Sequence, residues 1–282
     1  MRSTPIYEVH AIKYAHLPRK AWEVQITPDP HDADFPMDYF VWVAIPLDES
    51  GNRAIGGKPI VIDTGFNAQI GKKRGREVKT NPADLLAHLD IDAKTVEDVV
   101  ITHLHYDHVG NWDRFPKARF HLQDKEMQFA TGRHMCHGTF RHAFEVEDIV
   151  GIVRAVYGER VVFHDGDEEV QPGLSVHLIG GHTMGIQSVR VMTRNGWLVL
   201  ASDAKVTQAG IDTGYALAED TLRAPDIAIG NVPDAPGWVA GAPLLAVEYA
   251  SRGQNEEHLQ RRIQDLLAAG TTQVWVVRLL GE

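Results

Sequence analysis

The segment Thr102-His103-Leu104-His105-Tyr106-Asp107-His108 puts three imidazoles and a carboxylate within six positions. Imidazole and carboxylate are the ligands that borderline divalent ions such as Zn²⁺ prefer. The residues before it, VVIT, read as a buried strand. His103 and His105, as alternate residues, then point the same way, and the turn that follows redirects Asp107 and His108 toward a neighbouring point. Two adjacent metal positions result. The competing reading is a solvated histidine cluster with no metal, but four ligand-type side chains in this order directly after an apolar strand rarely arise as decoration.

Three further residues carry ligand chemistry at a distance. Asp63 closes the apolar strand PIVID, where a carboxylate and a glycine at a strand's end suit a tight turn facing a cleft. His182 stands in GHTMGIQS and Asp203 in LVLASDA. Taken singly, each has a plain reading as a turn residue, a structural histidine or a strand-end acid. Taken with the quartet, a shared centre is the stronger one.

The elements that must position them are legible in outline. Residues 7 to 16 and 39 to 47 are rich in aromatic and β-branched residues bounded by turns, which predicts an opening sheet. Residues 82 to 89 read as a helix with Asn81 as N-cap and Pro82 at its first position. Helix, then strand, then loop is an α/β order. Residues 122 to 157 carry a helical pattern interrupted by the histidine-rich RHMCHGTFRHAF, and the short runs VVFH, LSVHLIG, QSVRVMT and WLVLASDA predict a second sheet. The interrupting stretch, with Phe129, His134, Met135, His137, Phe140, His142 and Phe144, either lines an apolar pocket beside the site or forms a helix core with solvated histidines.

Composition narrows the partners. With 38 acidic against 28 basic side chains, the formal charge is −10, which repels nucleic acid and anionic membrane. The one cysteine, Cys136, permits no intrachain disulfide and is read as a buried or incidental thiol. No apolar run approaches a signal peptide or a bilayer span. The expectation is a cytoplasmic protein acting on a small-molecule substrate, binding neither nucleic acid nor membrane, with a homodimer as the candidate assembly.

The run H-L-H-Y-D-H-V-G-N resembles the H-x-H-x-D-H motif of the metallo-β-lactamase superfamily. Asp63 in IDTG resembles that family's first motif, Gly181-His182-Thr183 with Gly185 and Ser188 its third-histidine motif, and Asp203 its bridging aspartate. The spacings, about 75 residues from loop to His182 and about 20 on to Asp203, are similar to the family's. The resemblance covers residues 5 to 204 and implies an α/β sandwich of two sheets flanked by helices. It implies two zinc-type ions, one held by His103, His105 and His182, the other by Asp107 and His108, with Asp203 between them. Asp63 would support the metal loop from behind, and Asp107 would orient the attacking water or pass on its proton. The N-terminal segment, the HLHYDHVGN loop and FHLQDKEMQFA look most like N-acyl-homoserine lactonases, which implies opening of a lactone ring by hydroxide. A thioester, phosphodiester or β-lactam substrate on the same site is the alternative, and an impaired pseudoenzyme a third.

The family pattern breaks after Asp203. The histidine that normally completes the second metal position is missing, His258 lies in a polar helical context, and Ala204-Lys205-Val206-Thr207 stands where lactonases place a tyrosine, leaving Tyr215 as the nearest substitute. Residues 1–204 therefore read as a metallohydrolase domain lacking its usual C-terminal end, which predicts an exposed apolar sheet face unless the tail's strands dock there. Residues 205–282 read as an atypical α/β segment of two apolar strands, a helix and a last strand. That segment is similar to part of Uma-type PD-(D/E)-x-K nucleases, with Asp226 and Glu248 matching their metal-binding acids and Arg262 their basic residue.

Overall fold

The computed structural model describes residues 5–20, 23, 33–203, 209–211, 215–218, 221–225, 227–229, 238–243, 245–250, 255–271 and 273–278. The chain divides into two compact units, Met1–Ala204 and Lys205–Glu282.

In the first unit the long strands β1 (Ile6–Leu17) and β2 (Met37–Leu47) pair antiparallel. Next come β3 (Ile60–Ile62), α1 (Ala68–Arg74), β4 (Glu77–Val78), α2 (Pro82–Leu85), β5 (Asp98–Val100) and α3 (Tyr106–Val109). They are followed by β6 (Arg119–Gln123), α4 (Asp124–Thr131), α5 (Gly138–Arg141), α6 (Val146–Tyr157) and β7 (Val161–His164). The strands form one seven-stranded sheet in the order β4-β1-β2-β3-β5-β6-β7, in which β3, β5, β6 and β7 run parallel. Parallel strands bring their C-terminal ends to one edge, and loops leaving that edge are the ones that can converge on a ligand.

Local chemistry sets the helix ends. The Asn67 side chain accepts from Ile70 N–H to start α1, and Gly75, at φ 69°, closes it in the left-handed conformation. Asn81 caps α2 as expected, with Pro82 at its first position; the remainder of that segment, Leu86–Leu89, tightens into a 3-10 turn.

A meander of β8 (Glu168–Gln171), β9 (Leu174–Leu178), β10 (Gln187–Thr193) and β11 (Gly196–Leu200) makes the second sheet, antiparallel throughout. Ala44, Ile60, Ile62 and Val100 of the first sheet pack on Leu174, Val176, Val189 and Val191 of the second. The other face of the large sheet, with Val61, Val99, Phe120 and Leu122, is covered by Leu86, Ile149 and Ile152. Each such buried aliphatic or aromatic side chain contributes about 1.5–3 kcal/mol.

One expectation needs correction here. The helical pattern assigned to residues 122 to 157 begins too early, because Leu122 and Gln123 end strand β6. The strand was hidden because its second face is polar yet buried: His121 Nε2 lies 3.1 Å from Asp98, and Gln123 donates to Gln187. The outer face of the small sheet is mixed: it carries Arg190 stacked 3.9 Å over the Trp197 ring, Ser175 bonded to His177, and the exposed Val199.

The second unit holds more strands than the apolar runs suggested: β12 (Ala209–Ile211), β13 (Tyr215–Ala218), β14 (Thr221–Arg223), β15 (Ile227–Ile229), β16 (Val239–Ala240), β17 (Leu245–Ala250), α7 (Glu256–Ala268) and β18 (Gln273–Arg278). They form a sheet β12-β15-β17-β18 and a smaller one β14-β13-β16. Within it Arg262 pairs with the buried Glu248 at 2.6 Å, and Tyr215 is fully buried against Ala228 and Val239. Asp226 and Ala204-Lys205-Val206-Thr207 lie outside the described residues. Among the described residues no helix is long and apolar enough to cross a membrane.

Candidate metal centre

Three loops leaving the two sheets meet at one point. His103 and His105 follow β5, His182 precedes β10, and Asp203 follows β11. The ring nitrogens of His103, His105 and His182 form one group whose ligand atoms all lie within 4.8 Å of one another; His103, His108 and Asp203 form a second. His182 Nε2 is 3.1 Å from His105 Nδ1. The Asp203 Oδ2 atom stands between the groups, 3.3 Å from His108 Nε2, 3.4 Å from His182 Nε2 and 3.7 Å from His103 Nε2. Asp107 lies at the margin, its Oδ2 3.9 Å from His108 Nε2 and outside both tight groups.

Asp63 stands behind this arrangement. At φ 62° it adopts the left-handed backbone conformation, uncommon for a residue with a side chain. Its Oδ1 accepts from Thr102 N–H (2.7 Å), and its Oδ2 accepts from the Thr102 hydroxyl (2.9 Å) and from His108 Nδ1 (2.7 Å). With Nδ1 committed as a donor, His108 turns Nε2 toward Asp203. Sequence reasoning missed Thr102 as the hub: its hydroxyl also lies 2.8 Å from the Ser202 Oγ, tying the loop after β5 to the one after β11. Nothing in a Thr after an apolar strand signals that role.

Electrostatics describe a place built for positive charge. His103 is fully buried, and burial, then the neighbouring imidazoles, hold it well below the usual histidine range. Burial, with His182 next to it, lowers His105 to about 3. Burial raises Asp107, and Asp203 and Asp63 add to the rise. Burial alone would lower His108, but Asp63, Asp107 and Asp203 lift it well above its ordinary value. Burial works against ionised Asp203, yet His108, His182 and His105 bring it down to about 2. The His103 Nε2 atom is buried with no hydrogen-bond partner among the described residues. A buried nitrogen left in that state is costly unless a cation takes its lone pair. The donor set, imidazoles with one carboxylate, suits a zinc-type divalent ion.

Packing around the loop is aromatic. The Tyr14 hydroxyl donates to the backbone carbonyl of Asp107, and Gly65, at φ 66°, leaves room for that ring, since a Cβ there would sit 2.6 Å from Tyr14. Tyr106 N–H donates to Ala143 O, and the Phe144 ring meets the His105 ring edge-on at 4.7 Å, so the histidine-rich insertion lies against the site. Phe129 is buried, whereas Phe140 is exposed and Cys136, expected buried or incidental, is exposed and free. His258 is exposed on α7.

The fold and this centre define a class, and residues 53–247 match the metallo-beta-lactamase superfamily as a sequence family. The chain belongs to that superfamily. The match runs past Ala204 into the second unit. Among characterised proteins the chain is similar to the N-acyl homoserine lactonase AiiB of Rhizobium rhizogenes (strain K84 / ATCC BAA-868), 33% identical over 132 residues, 45% of this chain and 47% of that protein. The chain thus spans about half the length of the curated relative it matches. Among solved structures, it resembles a quorum-quenching N-acyl homoserine lactone lactonase with TM-score 0.54 and 21% identity, covering 73% of this chain and 77% of that one. It also resembles the N-acyl homoserine lactone hydrolase with N-hexanoyl-L-homoserine bound at its catalytic metal centre, with TM-score 0.53 and 21% identity over 72% and 78% of the two chains. A third is the hydrolase AbOPH, with TM-score 0.51 and 16% identity over 72% and 75%. At these identities the solved structures speak for the fold.

Proposed function

We propose that this protein is a metal-dependent hydrolase that opens N-acyl-homoserine lactones. The observation that carries the reading is the meeting of His103, His105 and His182 with His108 and Asp203 at two adjoining points, from loops of both sheets. The curated relative named above is a lactonase, which supports the ester ring over other acyl substrates.

In this reading His103, His105 and His182 hold one ion, His108 and Asp107 the second, and Asp203 lies between. When bound, two zinc-type ions supply Lewis acidity, which acidifies water and polarises an ester carbonyl. The chain's own residues do the rest. Asp63 fixes the His108 tautomer by accepting its Nδ1–H. Asp107, at the margin of the group 3.9 Å from His108 Nε2, would take the proton released as water oxygen bonds to the carbonyl carbon, and return it to the ring oxygen as the acyl C–O bond breaks. The exposed Phe140, joined through Phe129 and Phe144 to His105, would supply an apolar surface for the acyl chain.

The test is turnover of a panel: acyl-homoserine lactones of several lengths, a chromogenic β-lactam, a thioester and a model phosphodiester, each with metal-free and zinc-loaded protein. Zinc-dependent lactone opening well above the other substrates is expected. Faster turnover of any other substrate would replace the lactone assignment, and no turnover by zinc-loaded protein would overturn the enzymatic one.

A further inference from the structure

Glu126, in the first turn of α4, is 0% exposed and lies outside every ligand set considered so far. Its Oε1 accepts from Leu104 N–H at 2.8 Å; its Oε2 accepts from the Thr183 hydroxyl at 2.5 Å and from Gly185 N–H at 3.0 Å. Leu104 is the residue between His103 and His105, and Thr183 directly follows His182. One buried carboxylate therefore holds the two histidine-bearing loops together. Gly185 makes the approach possible: a Cβ at that position would lie 2.1 Å from the Glu126 backbone nitrogen and 2.5 Å from its Cα. Backbone contact that close admits only glycine.

We infer that Glu126 is a positioning residue that sets the separation of His105 from His182, and so the affinity of the His103–His105–His182 position for its ion. The inference rests on the metal reading above. The chemistry is specific to a carboxylate, because all three partners donate and a carboxylate offers only acceptors. In Glu126→Gln the shape is kept, but the amide nitrogen must face at least one N–H or O–H donor. One loop is then released while the other stays held. Supporting groups of this kind are worth about 10–100-fold in metal affinity.

The experiment is a Co²⁺ titration of metal-free protein in a competing chelator buffer, read by the visible d–d absorption of each bound ion, with circular dichroism and the melting temperature of the metal-free form as controls. Glu126→Gln should lose about 10–100-fold in affinity at one position and keep the other, with an altered absorption at the weakened one. Thr183→Val, which removes a single hydrogen bond and no charge, should lose affinity at the same position, and Thr183→Ser should restore it. If Glu126→Gln folds poorly, the Thr183 pair reads the same quantity. Unchanged affinity at both positions in Glu126→Gln or in Thr183→Val would overturn the inference while leaving the metal reading intact. Failure of the wild-type protein to take up Co²⁺, or uptake by His105→Ala equal to wild type, would sink the metal reading and this inference with it.

Discussion

The Nε2 atom of His182 lies 3.1 Å from Nδ1 of His105, although 77 positions separate them in the chain. Burial first, then the neighbouring imidazoles, lower His105 to about 3, so its ring stays neutral near neutral pH and keeps a lone pair for an ion. In the proposed two-ion reading, His182→Ala should leave about one ion fewer per chain than wild type after gel filtration, and reduce the proposed lactone turnover at least about 100-fold. Equal metal content in the two proteins would remove His182 from the ligand set.

Asp63 combines a left-handed backbone with three accepted hydrogen bonds, two from Thr102 and one from His108. Asparagine tolerates that backbone region, whereas alanine does not. Asp63→Asn should cost on the order of 2–3 kcal/mol through the lost charge-assisted bonds, and Asp63→Ala roughly 1 kcal/mol more through strain. Urea unfolding of the metal-free proteins measures both, and alanine proving the milder change would contradict the account.

Asp148, in the first turn of α6, is raised to about 7 by burial first, then by Glu145, Asp113 and Glu147, against Arg74. A carboxyl with a raised folded pKa keeps a proton that the unfolded chain has released. Its stabilising effect is complete below the unfolded value, about 4, and is lost as pH rises through about 7. Asp148→Asn should flatten this fall and leave the protein more stable than wild type at pH 8, by at most about 4 kcal/mol. Parallel stability profiles of the two proteins between pH 4 and pH 8 would show that Asp148 titrates normally.

Phe144 meets the His105 ring, and Phe129 links Phe144 to the exposed Phe140, an aromatic row along which the proposed acyl chain would lie. Phe140→Ala should raise KM for long-chain lactones by roughly tenfold and change short-chain KM little. A uniform change across chain lengths would assign Phe140 to packing within the insertion.

The centre was more legible than the fold. His103, His105, Asp107 and His108 sit in one local run, so their types and spacing alone suggest a metal centre, and the fold brings the three histidines into the tight groups with Asp107 at the margin. His182 and Asp203 needed the family resemblance, because a single histidine after glycines or an acid after a strand has many ordinary explanations. Glu126 gave no signal at all: an acid in a helix's first turn is expected on electrostatic grounds, and only the fold brings Leu104, Thr183 and Gly185 to it. Strand β6 escaped notice because His121 bonds Asp98 and Gln123 bonds Gln187 in a buried polar layer, which erases the apolar face. The strands β12 to β16 run two to four residues each, too short for any period to register.

Cys136 is the lone thiol, so no covalent staple can pin the large sheet to the small one. Thr102 and Ser202, 100 positions apart, flank an end where loops of both layers meet. An ion seated between His103 and Asp203 would take over the task of a disulfide, closing a loop of that length and stripping freedom from the unfolded chain. Copies starved of zinc would be the ones whose layers part first, and a protease would find them before it found their loaded siblings.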